Sequence, residues 1–457
     1  MKKTLTTILL IIVLIPAFAQ QKIGSETEEQ KKERMAWWTN DRFGMFIHWG
    51  IYAQPARGEW VKSRGNLTEE EYQTYFDNFN PDLYNPREWA KTAKNAGMKY
   101  AVITTKHHDG FCLFDSKYTD YKSTNTPVGK DLIREWVEAF RAEGLGIGFY
   151  YSLLDWHHPH YSIDSVHPLA PKVETDEAYI AANKGRDMEK YREYMRNQVT
   201  ELLTNYGKID ILWLDFSWKG IHAKNHNDWH SEKMLGLVRK LQPGIIINDR
   251  LDLKNVEGGW DFTAPEQFKV AKWPEVNGKK VPWETCQTLG NAWGYHRDDY
   301  NRKDNRQLLV LLIESVSKGG NLLLNVGPNG RGEIDSRAQE SLKKIGDWMK
   351  YNSRSVYGCT QAPENFKTPE NCLLTYNPKT NRLYVHLLEY PLNNLILPGF
   401  KGKFKYAQFL HDASELKAAK PRKLGMEEKE AENDINLGLP VIKPNVEIPV
   451  IEMILQD

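Results

Sequence analysis

Ile209-Asp210-Ile211-Leu212-Trp213-Leu214-Asp215 is a short apolar run that ends in a carboxylate. Such a run is typical of a strand buried in a parallel sheet. A buried acid is costly unless it is paired or used, and α/β enzymes keep their reacting groups at the carboxyl ends of such strands. Asp215 alone would be read as the cap of the following helix. The catalytic interpretation gains support because several other predicted strands also end in ionisable or aromatic residues.

Predicted strands and helices alternate about eight times around this run, over a span slightly above the ~250 residues of a (β/α)8 barrel. The other strand-like runs end at His48, at Lys106-His107-His108, at Tyr150-Tyr151 and at Arg250. No glycine-rich phosphate fingerprint follows the first strand, which argues against a nucleotide-binding sheet. We therefore predict a (β/α)8-like catalytic domain over residues 20–352. The alternation by itself does not separate a closed barrel from an open doubly wound sheet.

The pattern changes near residue 356. Short runs separated by turns follow at 373–376, 382–388 and 446–454. Runs of this length and spacing are typical of a small antiparallel sandwich. We predict a C-terminal β-sandwich domain over residues 353–457.

The first residues have the composition of a targeting segment. Lys2 and Lys3 precede an apolar run from Ile8 to Phe18, and small residues at Ala17-Phe18-Ala19 offer a cleavage site. We predict a signal peptide over residues 1–19 and an exported, soluble, periplasmic protein. No Cys follows the apolar run, so a lipoprotein anchor is not expected, and no later run is long enough to span a bilayer.

Charge and cysteine content exclude other classes. Lys and Arg total 61 against 60 Asp and Glu, a net charge of +1, which does not suit a nucleic-acid-binding surface. The four cysteines lack metal-ligand spacing. Cys359 and Cys372 are close enough in sequence to form a disulfide, and Cys112 and Cys286 are expected to be buried thiols.

Ionisable and aromatic side chains are predicted to meet at one rim of the barrel. A polyhydroxylated substrate needs donors, acceptors and flat apolar faces of this kind. Glycoside hydrolysis further requires two carboxyl groups, and Asp215 and Glu266 are candidates. The set at the rim is His48, Glu59, Trp60, His107, His108, Tyr151, Asp215, Arg250 and Glu266.

Two other functions use the same residues. A metal-dependent hydrolase would take His48, His107, His108 and Asp215 as ligands. Against it, adjacent strand residues such as His107 and His108 point in opposite directions and rarely bind one ion. A catalytically inactive sugar-binding protein would keep the aromatic pocket and lose the acids, yet both acids are present.

Six motifs in this order resemble the α-L-fucosidases of glycoside hydrolase family 29. The resemblance runs from about residue 36 to residue 350. The motifs are Phe43-Gly44-Met45-Phe46-Ile47-His48-Trp49-Gly50, Gly58-Glu59-Trp60, Lys106-His107-His108-Asp109-Gly110-Phe111, Trp213-Leu214-Asp215, Asn248-Asp249-Arg250 and Gly319-Gly320-Asn321-Leu322-Leu323-Leu324-Asn325-Val326-Gly327-Pro328.

The resemblance implies a retaining α-L-fucosidase that acts on fucosylated oligosaccharides or glycoconjugates without a cofactor or a metal ion. Asp215 matches the nucleophile, and Glu266 matches the acid/base of some members, with Glu284 as its rival. The linkage that is cleaved depends on loops such as 157–181 and is left open. Residues that match the family's fucose-binding positions are His48, Glu59, Trp60, His107, His108, Tyr151, Trp213 and Arg250, with Trp293 beside the methyl group.

Overall fold

Helices and strands alternate through the first three quarters of the chain, and strands dominate the last quarter. A computed structural model of the protein describes residues 26–220, 222–419 and 432–456. The predicted signal peptide, residues 1–19, lies outside the described residues.

The helices are α1 (Glu28–Asp41), α2 (Val61–Arg64), α3 (Glu69–Asp77), α4 (Pro86–Asn95), α5 (Leu132–Ala142), α6 (Asp176–Ala182), α7 (Met188–Asn205), α8 (His226–Trp229), α9 (Ser231–Leu241), α10 (Asn305–Ser317) and α11 (Ser336–Asn352). The strands are β1 (Phe43–Ile47), β2 (Tyr100–Lys106), β3 (Gly146–Ser152), β4 (Ile211–Asp215), β5 (Ile246–Ile247), β6 (Glu275–Val276), β7 (Lys279–Lys280), β8 (Glu284–Gln287), β9 (Asn321–Val326), β10 (Thr360–Gln361), β11 (Cys372–Asn377), β12 (Arg382–Leu387), β13 (Asn394–Leu397), β14 (Phe404–Phe409), β15 (Ala418–Ala419), β16 (Ile435–Gly438) and β17 (Val450–Leu455).

Seven parallel strands form a curled sheet in the order β5-β4-β3-β2-β1-β9-β8. Residues 262–266 fill the gap between the two edge strands without forming a regular strand. Single bridges join Phe262 to Asn248 on one side, and join Thr263 to Trp283 and Glu266 to Cys286 on the other. The (β/α)8-like barrel predicted from the sequence is therefore confirmed, with an irregular segment at one of its eight positions.

Side chains that point into the barrel form a core of their own. Phe46, Tyr150, Trp213 and Phe262 belong to this inner cluster. The alternate strand residues point outward and pack beneath the helices, as the period of two requires. Polar caps fix where the outer helices begin: Asn85, Asp131 and Asp304 each accept a hydrogen bond from a backbone N–H in the first turn of the helix that follows.

Two antiparallel sheets form the C-terminal part of the chain. One has the order β10-β11-β12-β17-β14, and the other has the order β13-β16-β15. Their facing side chains form a second buried cluster that includes Leu383, Val385, Leu397, Leu437 and Ile451. The predicted β-sandwich is therefore confirmed. The four cysteines are all free and buried, so Cys359 and Cys372 do not form a disulfide.

No helix among residues 26–220, 222–419 and 432–456 is both long enough and apolar enough to cross a membrane.

Candidate active site

Asp215 is the last residue of β4, and its side chain points into the barrel. The hydroxyl of Tyr150 donates to its Oδ2 at 2.9 Å, and Nη1 of Arg250 lies 3.3 Å from its Oδ1. The pKa of Asp215 is raised to about 6, because burial and the nearby carboxylate of Glu266 raise it by more than Arg250 and Tyr150 lower it. The carboxyl group therefore changes charge in mildly acidic solution.

Arg250 joins the two candidate acids. Its Nη2 donates to Oε2 of Glu266 at 3.1 Å and to the carbonyl oxygen of Ala264 at 3.1 Å. One guanidinium group thus contacts both Asp215 and Glu266. The side chain of Asp215 is 12% exposed and that of Glu266 is 40% exposed, so the second acid has the freer access to water.

A cavity that opens to solvent lies above these acids. Aromatic rings dominate its walls, which suits the apolar face of a sugar. It is lined by Phe46, His48, Trp60, His107, His108, Tyr150, Trp213, Asp215, Phe216, Glu266, Cys286 and Trp293.

Three histidines of the cavity are buried, and two of them are held by neutral partners. Nδ1 of His48 lies 2.7 Å from Oδ1 of Asn325, and Nδ1 of His108 lies 2.7 Å from Oγ of Ser152. Burial lowers the pKa of His48 to about 3 and lowers the pKa values of His107 and His108 well below the usual range. The three rings are therefore neutral near pH 7. Because Nδ1 of His48 and of His108 face protein partners, Nε2 is the nitrogen of these two rings that can donate to or accept from a ligand.

His107 and His108 do not point in opposite directions. Both line the cavity, with ring centroids 4.0 Å apart. They follow Lys106, the last residue of β2, so the alternation of a strand no longer applies to them. Gly110 then turns the chain with φ of 83°, and a side chain there would overlap the carboxylate of Asp155.

Tyr151 is not part of the cavity, and its prediction as a substrate-binding residue is wrong. Its side chain points outward from β3, where its hydroxyl donates to Oε1 of Gln198 on α7 at 2.8 Å. Tyr150 takes the inward position instead, because neighbouring strand residues face opposite sides of a sheet.

Glu59 lies behind the wall of the cavity. Its Oε2 accepts hydrogen bonds from the backbone N–H groups of Trp293 and Gly294, at 3.0 and 2.8 Å. The structure therefore places Glu59 where it holds the loop that carries Trp293.

Glu284 does not lie at the rim, so its geometry does not fit the role of rival acid/base. It is the first residue of β8 and pairs in register with Asn321 at the start of β9, at the opposite end of the barrel from Asp215. It is fully buried, and the hydroxyl of Tyr100 donates to its Oε2 at 2.5 Å. A side chain at Gly44 would overlap the ring of Tyr100, so glycine at that position makes room for this contact.

The sequence interpretation missed several residues of the cavity. Tyr150 lies one position before the predicted residue, Tyr151. The strand alternation separates the two, because Tyr150 and Ser152 face the same side of β3 and Tyr151 faces the other. Phe46, Phe216 and Cys286 carry no charge, and nothing in their sequence positions distinguishes them from core residues.

Within the described ranges 26–220, 222–419 and 432–456, no group of three or more His, Cys, Asp or Glu side chains is arranged to hold a metal ion. Nδ1 of His48 and of His108 already face protein partners.

Comparisons with known proteins find similar sequences and similar structures. The profile of the family described as Alpha-L-fucosidase matches residues 12–354. An alpha-L-fucosidase of Dictyostelium discoideum is 28% identical in an alignment that covers 96% of this chain and 95% of that protein.

Two solved structures are similar over almost the whole chain. Alpha-L-fucosidase isoenzyme 1 from Paenibacillus thiaminolyticus is 44% identical with a TM-score of 0.85, covering 93% of this chain and 100% of that one. A family 29 alpha-L-fucosidase from Bacteroides thetaiotaomicron, solved as a trapped covalent intermediate with 2-fluoro-fucosyl fluoride, is 28% identical with a TM-score of 0.78. That match covers 93% of this chain and 96% of the Bacteroides chain.

Proposed function

Because the chain belongs to the α-L-fucosidase family of glycoside hydrolases, we propose that it removes terminal α-L-fucose with retention of configuration, through a covalent glycosyl-enzyme. Asp215 is the nucleophile and Glu266 is the acid/base. The observation that carries this proposal is the contact of both carboxyl groups with one guanidinium group, that of Arg250, beside an aromatic cavity. A pair of close carboxyl groups is the requirement of a retaining glycosidase.

In the first step Asp215 attacks the anomeric carbon of the fucosyl residue. The bond to the leaving group breaks, and Glu266 donates its proton to the departing oxygen. Arg250 and Tyr150 favour the ionised form of Asp215 that this attack needs. The products are a fucosyl ester of Asp215 and the free alcohol of the leaving group.

In the second step Glu266 accepts a proton from water, and the resulting hydroxide attacks the same carbon and releases Asp215. The negative charge of Asp215 is absent in the ester, so its repulsion of a second carboxylate is absent as well. Two inversions leave α-L-fucose with its original configuration. The exposure of Glu266, 40% of its side chain, gives water access to this base.

The cavity supplies the contacts that one sugar ring needs. Trp60, Trp213 and Trp293 offer flat apolar surfaces, and the neutral rings of His48, His107 and His108 offer donors and acceptors for hydroxyl groups. The substrate is a fucosylated oligosaccharide or glycoconjugate whose leaving group extends out through the mouth. We further propose that residues 1–19 direct export to the periplasm.

The stereochemical course tests the retaining mechanism. Hydrolysis of an aryl α-L-fucoside, followed by proton NMR in the first minutes, is expected to yield the α anomer of free fucose before mutarotation. Initial formation of the β anomer would contradict the covalent route. Asp215→Ala is expected to lower kcat by at least ~10⁴-fold while the circular dichroism spectrum stays unchanged.

A further inference from the structure

On the side of the barrel where β4 faces β5, regular strand pairing ends before it reaches either candidate acid, although Asp215 remains paired with Ser152 of β3. The ladder between β4 and β5 stops at the pair Leu212 and Ile247, and Asp215 lies three residues further along β4. Glu266 is the last residue of the irregular segment 262–266, which is joined to its neighbours only by single bridges. Backbone pairing on this side of the barrel therefore does not fix the distance between the two carboxyl groups.

The side chain of Asn248 takes the place of the missing ladder to β4. Its Oδ1 accepts the N–H of Leu214 at 3.2 Å, and its Nδ2 donates to the carbonyl oxygen of Leu214 at 2.8 Å. Asn248 is fully buried. The side-chain amide thus pairs with the residue next to Asp215 as a peptide group of a neighbouring strand would.

Asp249 holds the irregular segment in the same way. The hydroxyl of Thr263 donates to its Oδ2 at 2.7 Å, and the backbone N–H of Ala264 donates to its Oδ1 at 3.3 Å. The carboxylate is 4% exposed, and its remaining ionic partner is Lys254, whose side chain is 56% exposed. Thr263 and Ala264, the two residues that donate hydrogen bonds to Asp249, lie just before Glu266 in the chain.

We propose that Asn248 and Asp249 are positioning residues that set the separation of the two acids, Asn248 for Asp215 and Asp249 for Glu266. The inference rests on the proposed function, because it takes Asp215 as the nucleophile and Glu266 as the acid/base. Three consecutive residues then position the two acids. Asn248 fixes the backbone beside Asp215, Asp249 fixes the backbone before Glu266, and Arg250 contacts both carboxyl groups. A displacement of about 1 Å in such a group costs on the order of 100-fold in rate.

The two positioning roles have different kinetic signatures. A displaced acid/base slows substrates whose leaving group needs a proton and spares activated aryl fucosides in the first step, and azide can replace the water that the base no longer activates. A displaced nucleophile slows the first step for every substrate, and azide does not help. A purely structural role lowers stability and leaves the kinetics of the folded protein unchanged.

The test for Asp249 compares Asp249→Asn with Lys254→Ala, using 2,4-dinitrophenyl fucoside and a fucosyl disaccharide. Asp249→Asn is expected to lower kcat/KM for the disaccharide by ~10–100-fold and to spare the activated fucoside, with azide raising its turnover. Lys254→Ala removes the exposed ionic partner alone and should behave as wild type. Equal losses on both substrates without azide rescue, or no loss at all, would overturn the role of Asp249.

Should Asp249→Asn not fold, Thr263→Val carries the same test. Valine has nearly the shape of threonine and removes one of the two hydrogen bonds to Asp249. The same split between the two substrates, of smaller size, is expected. Wild-type kinetics in Thr263→Val would then overturn the role of Asp249.

The test for Asn248 compares Asn248→Ala with Asn352→Ala. Asn352 is also a fully buried amide that bonds to the backbone, at 3.0 Å to the carbonyl oxygen of Trp348, far from the cavity. Both variants should lose stability, but Asn248→Ala alone should lower kcat/KM, by ~10–100-fold on both substrates and without azide rescue. Equal kinetics in the two folded variants would overturn the role of Asn248.

Failure of the inference is distinguishable from failure of the proposed function. If Glu266→Ala itself shows the substrate split and azide rescue while Asp249→Asn does not, only the positioning role is wrong. If Glu266→Ala shows neither, the assignment of the acid/base fails first, and the role of Asp249 falls with it.

Discussion

At the scale of single residues, the charge of Asp215 is the quantity that the site controls. Burial raises its pKa to about 6, and the guanidinium of Arg250 and the hydroxyl of Tyr150 keep that pKa from rising further. Only the ionised carboxylate can attack the sugar. Activity must therefore fall as the pH drops through the pKa of this group.

We expect the acid limb of kcat/KM for an aryl fucoside to lie near pH 6, and Tyr150→Phe to move it to higher pH. The phenol stabilises the charged form of Asp215, so its loss raises the pKa and also lowers the maximal rate by about tenfold, the value of a hydrogen bond to a charged group. The measurement is a pH profile of kcat/KM. An acid limb that stays in place or moves to lower pH in Tyr150→Phe would contradict the assignment.

Tyr151→Phe is the matched control for that measurement. It removes a hydroxyl from the neighbouring residue, whose partner is Gln198 on the outer side of the barrel. The expected result is an unchanged pH profile and a loss of about 1–3 kcal/mol in the free energy of unfolding, because Oε1 of Gln198 loses its buried donor.

Glu284 gives a prediction about stability. Burial raises its pKa from 4.5 to about 7, so its contribution to stability is complete below pH 4.5 and is lost as the pH rises through 7. Glu284→Gln removes this titration. Between pH 5.5 and pH 8 the free energy of unfolding of the wild type should fall by about 2 kcal/mol relative to Glu284→Gln. Urea denaturation of both proteins at the two pH values measures their free energies of unfolding. If the wild type and Glu284→Gln differ by the same amount at both pH values, the prediction is contradicted.

Motifs at strand ends point to most residues of the cavity, because the ends of parallel strands converge at one rim. They do not show which of two neighbouring strand residues points into the barrel. The prediction of Tyr151 in place of Tyr150 has this cause. They also do not separate the two ends of a short strand. Glu284 begins β8 and Asp215 ends β4, so two acids that follow similar apolar or aromatic runs lie at opposite ends of the barrel.

At the scale of elements, the loop after β3 is held against the loop before α8 by a buried ion pair. Nζ of Lys224 lies 2.6 Å from Oδ2 of Asp164, with side-chain exposures of 5% and 1%. The hydroxyl of Tyr161 donates to the same carboxylate, and the ammonium group lies over the Tyr161 ring. Both loops are on the mouth side of the barrel, so the surface that meets the leaving group is held in a defined shape.

We expect Asp164→Asn to lower the free energy of unfolding by roughly 3 kcal/mol, because it leaves the ammonium of Lys224 buried without its counter-charge. Asp347→Asn, which breaks an exposed pair with Lys343, should cost about 0.5 kcal/mol or less. Thermal unfolding compares the two. Asp164→Asn should also raise KM for fucosyl oligosaccharides more than for aryl fucosides. Equal free energies of unfolding for Asp164→Asn and Asp347→Asn would contradict the role of the buried pair.

Alternation of strand and helix predicts the barrel because each apolar run has a length and a boundary that fit one element. The eighth position is different. Residues 260–262 resemble a short strand in sequence, but the chain there forms single bridges, and the side chains of Asp249 and Arg250 replace the ladder. Hydrogen bonds from side chains to a neighbouring backbone do not recur at a fixed spacing in the sequence. The periodicity of apolar residues therefore does not reveal them.

At the scale of the whole molecule, the barrel and the C-terminal sheets share buried contacts. Nε1 of Trp348 on α11 donates to the carbonyl oxygen of Ile448 at 3.0 Å, and Nε of Arg42 donates to that of Cys359 at 2.8 Å. Ile448 and Val450 pack in the same apolar cluster as Trp348. The C-terminal sheets thus share part of the core beneath the helices and also keep a buried cluster of their own.

We therefore predict that a chain ending at residue 352 does not fold. Removal of residues 353–457 would expose several large side chains beneath α11, at about 1.5–3 kcal/mol each, against a typical total stability of 5–15 kcal/mol. Expression of residues 20–352 with and without the remainder, followed by calorimetry, provides the check. A cooperative unfolding transition and full activity in the short chain would contradict the prediction.

The pairing of Asp215 with Glu266 is tested most directly by azide rescue. The measurement is hydrolysis of an activated aryl α-L-fucoside by the wild type and by Asp215→Ala, Glu266→Ala and Glu284→Ala, each with and without azide. We predict that azide restores turnover in both Asp215→Ala and Glu266→Ala. The product is a fucosyl azide of β configuration for Asp215→Ala and of α configuration for Glu266→Ala. Glu284→Ala should not respond to azide. Rescue of Glu284→Ala in place of Glu266→Ala would contradict the account.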